Sequence, residues 1–250
     1  MMRCLIVLLL AGTATAQAGK IVVAADAWCP YNCDEKSLYQ GFMIEVTREI
    51  LGAAGYSVQY VNQSWADSLA DVTAGRRDAV VGASVEEARR LVLAAEPLGE
   101  NKTCFYTRQD DPFQYRPDVL LKSRRMGLTY GYLYGDAIDR YVADHRQDSN
   151  LVQLVTGDKP LLRNIQKLKA RRVDTIAENP MVMDFSVRKY QIDGLRLAGC
   201  DEPTTLHIAF APGRADASRL ADLMNQGIRS LRKSGRMHEI LNRYGVKDWK

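Results

Sequence analysis

The apolar positions of this chain fall into short runs that switch between two periods. Ile21 to Ala25 is a β-branched apolar run and predicts a strand. Gly41 to Gly55 predicts a helix: Phe42, Ile44, Val46, Ile50, Leu51 and Ala54 supply its apolar surface and Gly55 ends it. Tyr56 to Val61 alternates as a half-buried strand does. A helix from Trp65 to Thr73 and a strand from Ala79 to Val81 follow. This β-α-β-α-β order predicts parallel strands with helices between them.

Thr103 to Thr107 predicts a further strand. The polar stretch Arg108 to Pro117, with Pro112 and Pro117, predicts a crossover. A second series then begins with a strand at Met126 to Thr129, a helix at Asp136 to His145 and a strand at Leu151 to Val155. Asp158 is placed to cap a helix that runs to Ala170, with Pro160 in its first turn. Val173 to Ala177 closes the series, and Asp201 to Pro203 marks another crossover. After a strand at Thr205 to Ala211, Asp216 to Ser234 sets Leu220, Leu223, Met224, Ile228 and Leu231 on one helical face. Gly235 breaks that helix, and a last short one holds Met237, Ile240 and Leu241.

One pattern occurs twice. Ala74-Gly75-Arg76-Arg77-Asp78-Ala79-Val80-Val81 returns as Ala170-Arg171-Arg172-Val173-Asp174-Thr175-Ile176, each after an amphipathic run. Each copy reads as a helix with a basic C-terminal end, suited to its dipole, then a turn and a strand. The chain is therefore expected to hold two α/β lobes built alike. Ligands of open α/β sheets bind beyond the carboxyl ends of strands, which directs attention to Gly82–Arg90 and Ala177–Met183.

Arg3, the apolar run Leu5 to Ala11 and the small residues at Ala14-Thr15-Ala16 and Ala16-Gln17-Ala18 make residues 1–18 an expected secretory signal peptide. Cys4 lies too early to be a lipid-attachment site, and no later stretch is long or apolar enough to span a bilayer. The expectation is a soluble, exported, periplasmic protein. Charge is mild: 34 Lys and Arg against 30 Asp and Glu, a formal net of +4. The basic residues are scattered, so nucleic acid is not an expected partner.

Cys29, Cys33, Cys104 and Cys200 remain after the leader, an even count in an exported chain. The expected pairs are Cys29 with Cys33 and Cys104 with Cys200; the alternative is a redox-active pair at Cys29 and Cys33. His145, His207 and His238 stand in no metal spacing, and no phosphate-binding glycine loop is present. Neither a metal nor a cofactor is expected.

Taken in order, several segments resemble the bacterial extracellular solute-binding proteins of family 3. They are Trp28-Cys29-Pro30-Tyr31, Gly41-Phe42-Met43-Ile44-Glu45, Trp65, Ala74 to Gly82, Met126-Gly127-Leu128 with Gly131, Val173-Asp174, and Ile240 to Gly245 with Asp248-Trp249. The resemblance implies the type II periplasmic binding protein fold, two α/β lobes joined by two crossover strands with a ligand cleft between them. Residues 19–108 and 204–250 would form one lobe and 109–203 the other. It also implies a monomer that captures a small carboxylate-bearing ligand, an amino acid or a relative, by hinge closure. The closed form would be read by the permease of an ABC importer. The alternatives are a sensing module that presents its closed form to a receptor, and a periplasmic dehydratase on the same fold.

The resemblance also proposes a site. Arg89, seven residues after Gly82, matches the arginine that holds a ligand carboxylate, with Arg90 as the fallback. Ser84 matches the residue whose hydroxyl or N–H shares that carboxylate; the plainer reading is a helix cap. Trp28 and Tyr31 match an aromatic wall over the ligand, or are core, and Trp65 starts a helix at a family-typical place, as a ligand contact or a structural residue. In the second lobe Asn179 stands where the family has an amine-binding Asp, with Glu178 beside it. Tyr130, Tyr132 and Tyr134 replace the usual hydroxyl at the anion-favouring turn; they line a pocket, with Tyr132 the expected ligand contact among them, or they are packing residues.

Overall fold

The computed structural model describes residues 19–116 and 124–250; the expected signal peptide and Pro117 lie outside the described residues. The chain opens with strand β1 (Lys20–Ala25), helix α1 (Phe42–Ala53), β2 (Ser57–Asn62), α2 (Trp65–Thr73), β3 (Ala79–Ala83) and the short strands β4 (Val92–Leu93) and β5 (Gly99–Asn101). Next come β6 (Cys104–Arg108), β7 (Met126–Thr129), α3 (Asp136–His145), β8 (Val152–Val155), α4 (Pro160–Lys169), β9 (Thr175–Glu178), α5 (Pro180–Tyr190) and β10 (Leu195–Cys200). β11 (Thr204–Phe210), α6 (Ala217–Lys233) and α7 (Arg236–Arg243) complete it.

The repeated motif maps onto a repeated architecture. The first sheet runs β2-β1-β3-β11-β4, with β5 also on β11, and the second runs β10-β6-β9-β7-β8. In each, a first strand (β1 or β7) lies between the second (β2 or β8) and the third (β3 or β9), all parallel. An antiparallel strand, β11 or β6, then flanks the third. The aspartate of each copy anchors this arrangement. Asp78 accepts a hydrogen bond from Val22 N at 2.7 Å, and Asp174 accepts one from Arg125 N at 3.1 Å. Each carboxylate thus ties the entry of the third strand to the start of the first.

Both sheets are covered on two faces. In the first lobe Ile21, Val23, Phe42, Leu220, Met224 and Ile240 join α1, α6 and α7 in one core, while Trp65, Val72, Val80 and Ala209 seat α2 on the other face. In the second, Phe105, Met126, Leu128 and Ile138 pack beneath α3, and Ile165, Leu168, Ile176 and Met183 beneath α4 and α5. Gly41 begins α1 at φ 100°, and a Cβ there would lie 2.3 Å from Tyr31 O, so only glycine fits.

Three expectations change. β6 pairs with β9 and β10, so the strand foreseen at Thr103 to Thr107 belongs to the second lobe. The first crossover is therefore Lys102-Thr103, not the segment after residue 108: a change of sheet needs only two residues without a strand partner. The return is at Asp201 to Pro203, where the sequence places it. Asp158 does not cap α4, whose N-cap is Lys159 with no side-chain bond; Gly157 and Lys159 both take positive φ and leave Asp158 outside the first turn. α5 and β10 occupy a stretch with no foreseen element. The first of them starts from an Asn-Pro pair, with Asn179 Oδ1 accepting from Met181 N and Val182 N.

The two expected disulfides are present. Cys29–Cys33 closes the turn after β1, and Cys104–Cys200 joins the first residue of β6 to the last of β10. The second bond thus clasps the two interlobe segments where both enter the second lobe.

Candidate functional site

The ends of β1, β3, β7 and β9 converge where the two lobes face each other. The turn after β1 is held by Cys29–Cys33 and by Trp28 N donating to Asn32 O at 2.6 Å. It presents Asp26 and Trp28. The Trp28 ring stacks on Tyr31 at 4.4 Å between centroids and meets the Tyr132 ring edge-on at 6.5 Å. Two adjoining cavities open here, an outer one of about 1130 Å³ and an inner one of about 470 Å³. Asp26, Trp28, Trp65 and Tyr132 line both and form the partition between them.

Four hydrogen bonds cross the cleft. Trp28 Nε1 donates to Glu178 Oε1 at 2.9 Å. Asn179 Nδ2 donates to Tyr31 Oη at 3.1 Å and to Asn101 Oδ1 at 3.0 Å. The Tyr132 hydroxyl donates to Asp26. Glu178 lies in the outer cavity's wall at 5 % exposure, and burial pushes its carboxyl up to about 7. Burial likewise lifts Asp26 to about 6, against the lowering effect of the Tyr132 hydrogen bond. A third carboxylate, Glu87, accepts from Trp65 Nε1 at 2.8 Å, and from Ser84 N at 2.9 Å and Ser84 Oγ at 2.8 Å. Glu87 N donates back to Ser84 Oγ at 3.2 Å, so Ser84 and Glu87 form a capping box.

Among the residues singled out from sequence, Trp28, Trp65, Gly82, Ser84 and Tyr132 line the inner cavity, and Glu178 the outer. Tyr31 and Asn179 are buried behind these walls and line neither cavity. Asn179 is the cap of α5 and an interlobe tie, which uses both ends of its amide. Arg89 departs most from expectation. Its side chain is 73 % exposed and pairs with Glu86 at 3.1 Å, outside both cavity walls. The cause is local: Ala88 is buried against α2, which turns its neighbour outward.

Asp26, Asn32 and Glu87 escaped the sequence reading. Asp26 was signalled only by its place just after β1, and Glu87 by the Ser-x-x-Glu spacing. Gly82 reaches the cavity wall at φ 90°, and a Cβ there would face Asn32 Oδ1 at 3.7 Å. Among the described residues, no group of three or more His, Cys, Asp or Glu is placed to hold a metal ion, and no helix is long and apolar enough to cross a membrane.

The model of the bacterial extracellular solute-binding proteins, family 3, matches residues 21–247. The arginine-binding periplasmic protein of Mannheimia haemolytica is 22 % identical over 252 residues, covering 98 % of each chain. An ancestral arginine-binding protein bound to arginine superposes with a TM-score of 0.75 at 18 % identity, over 92 % of this chain and 99 % of that one. A histidine kinase sensor domain with similarity to periplasmic binding proteins gives 0.71 at 20 % identity, over 92 % and 98 %. The architecture is the type II periplasmic binding fold.

Proposed function

We propose that this chain, which belongs to the bacterial extracellular solute-binding proteins of family 3, captures a small organic cation between its lobes and delivers it to the permease of an ATP-driven importer. One observation carries the reading. Asp26 and Glu87 line the inner cavity with the rings of Trp28, Trp65 and Tyr132, and no Lys or Arg among the described residues joins them there; Glu178 meets Trp28 from the outer cavity, whose wall also holds Lys159, Lys189 and Arg243. Buried carboxylates without a cationic partner are costly, and a ligand ammonium or guanidinium relieves that cost. Indole and phenol faces add attraction for the same charge. The arginine-binding relatives are in keeping with a cationic ligand.

Capture proceeds by bending at Lys102-Thr103 and Asp201 to Pro203, which brings the lobes together over the solute. It is reversible and has no covalent step. The likeness to a kinase sensor domain supports a second reading, in which the closed form signals to a receptor.

Thermal melts of the ligand-stripped protein test the cation reading. A bound solute at a hundred times its Kd adds about 2.7 kcal/mol, a rise of roughly 5–10 °C for a chain of this size. Arginine, lysine and their decarboxylated amines form one panel, and glutamate and succinate the other. Shifts confined to the second panel would sink the proposal.

Arg89→Ala separates this site from the carboxylate clamp inferred by resemblance. An exposed ion pair contributes little, so titration of the variant should return the wild-type affinity for a bound cation within about twofold. A loss of tenfold or more would return Arg89 to the site.

A further inference from the structure

We infer that the solute for which this cleft is built is an organic cation that carries no carboxylate. The inference rests on the cation reading above and narrows it to amines and guanidines without an acid group.

Hydrogen-bond donors at strand ends and helix starts are where a cleft of this architecture can hold an anion. Here the protein's own carboxylates occupy them. In the first lobe, Ser84 N and Ser84 Oγ both donate to Glu87 Oε2, and Trp65 Nε1 donates to Glu87 Oε1. In the second, the turn into α3 is closed in the same way: Tyr134 N donates to Asp139 Oδ1 at 2.9 Å and Gly135 N to Asp139 Oδ2 at 3.1 Å. At the end of β9, Asn179 N donates to Glu178 Oε1 at 2.8 Å. Each lobe thus supplies an internal acid to the spot that a ligand acid would need.

The unused capacity is of the opposite kind. Asn32 lines the inner cavity at 1 % exposure, and its Oδ1 has no hydrogen-bond partner. Its Nδ2 donates to Asp26 O at 2.7 Å, which leaves Oδ1 as an open acceptor. The Arg89 guanidinium, the cation first expected to meet an acid, is engaged with Glu86 at the exposed edge of this cavity. A ligand carboxylate entering this cavity would face Glu87, Asp26 and Asp139. An ammonium or guanidinium would find acceptors on every side.

Two probe pairs that differ by a single carboxylate decide the matter: agmatine against arginine, and cadaverine against lysine. Calorimetric titration of the full exported chain, freed of bound solute by reversible unfolding, should give at least tenfold tighter binding for the decarboxylated member of each pair. In Glu87→Ala, which frees the Ser84 donors, the preference should narrow at least threefold. The preference is a ratio, so it is insensitive to a general loss of stability in the variant. Arginine bound as tightly as agmatine, or more tightly, overturns this inference and leaves the cation reading standing. Binding of none of the four overturns both.

Discussion

Lowering the pH from 7.5 to 5.5 should weaken capture of an organic cation by about a hundredfold. The magnitude follows from two carboxyl groups that titrate in that window, Glu178 at about 7 and Asp26 at about 6. Glu178 is faced by the Trp28 indole N–H and by Asn179 N, which favour its charge, and by the negative charge of Asp26, which opposes it. Asp26 is faced by the Tyr132 hydroxyl and feels the charge of Glu87. Burial outweighs the donors in both cases, so each acid holds its proton well above the usual carboxylate range. A cation binds the ionised form and must expel these protons first. Titrations at pH 6.5 in buffers of different ionisation heat should therefore register proton release. The ligand-free protein should respond in the other direction. A carboxyl whose pKa is raised by folding contributes stability below its unfolded value and loses it as pH rises through its folded value. Melts of the empty protein should accordingly rise on acidification from pH 8 towards pH 5, while the affinity for the cation falls. A cation affinity that stays flat between pH 7.5 and 5.5 would remove Glu178 and Asp26 from the binding step.

Replacing Cys104 and Cys200 together by alanine should be strongly destabilising, and far more so than removing the other disulfide. The bond spans a sequence separation of 96, and closing a loop of that size restricts the unfolded chain by about 4–5 kcal/mol. At roughly 2–4 °C per kcal/mol, the melting temperature should fall by about 10 °C or more. The Cys29–Cys33 bond, with a separation of 4, should be worth only about 2 kcal/mol in the same terms. Scanning calorimetry of the two double variants would show the ordering, and a fall below 3 °C for Cys104→Ala/Cys200→Ala would contradict it. The same variant should also loosen the link between the lobes, because this bond holds β6 against β10 just beside both crossover segments.

The two-lobed fold was legible because its signals are local and repeated. Helix and strand periods and the Arg-Arg and Asp of the duplicated motif recur in both lobes, and Gly55, Gly75 and Gly235 end the helices of the first. The role of that Asp as an anchor between strands was not legible, because its partners at Val22 and Arg125 are remote in sequence. The lobe boundary was misread for a related reason. Polarity and proline mark a loop, but whether a strand joins one sheet or another depends on pairing with β9 and β10, far along the chain. At the cleft, Ser84 and Glu178 fall in the segments to which the repeated strands direct attention, Trp28, Trp65 and Tyr132 were singled out by resemblance, and all five line a cavity. Arg89 was placed by spacing alone, and spacing does not register that the burial of Ala88 rotates the next side chain into solvent. Asp26 and Glu87 were missed since an acid in a loop is ordinarily a solvated one.

The placement of the indoles has an optical consequence. The chain has three tryptophans: Trp28 and Trp65 both donate to carboxylates at the cleft, whereas Trp249 lies in the first lobe against Phe42 and beneath the Arg232 guanidinium. A solute that draws Glu178 or Glu87 towards itself alters the electric field along the indole bonded to that acid, Trp28 or Trp65, and leaves Trp249 as it was. The protein's own emission therefore contains a signal for an occupied cleft and a fixed reference beside it, with no added dye.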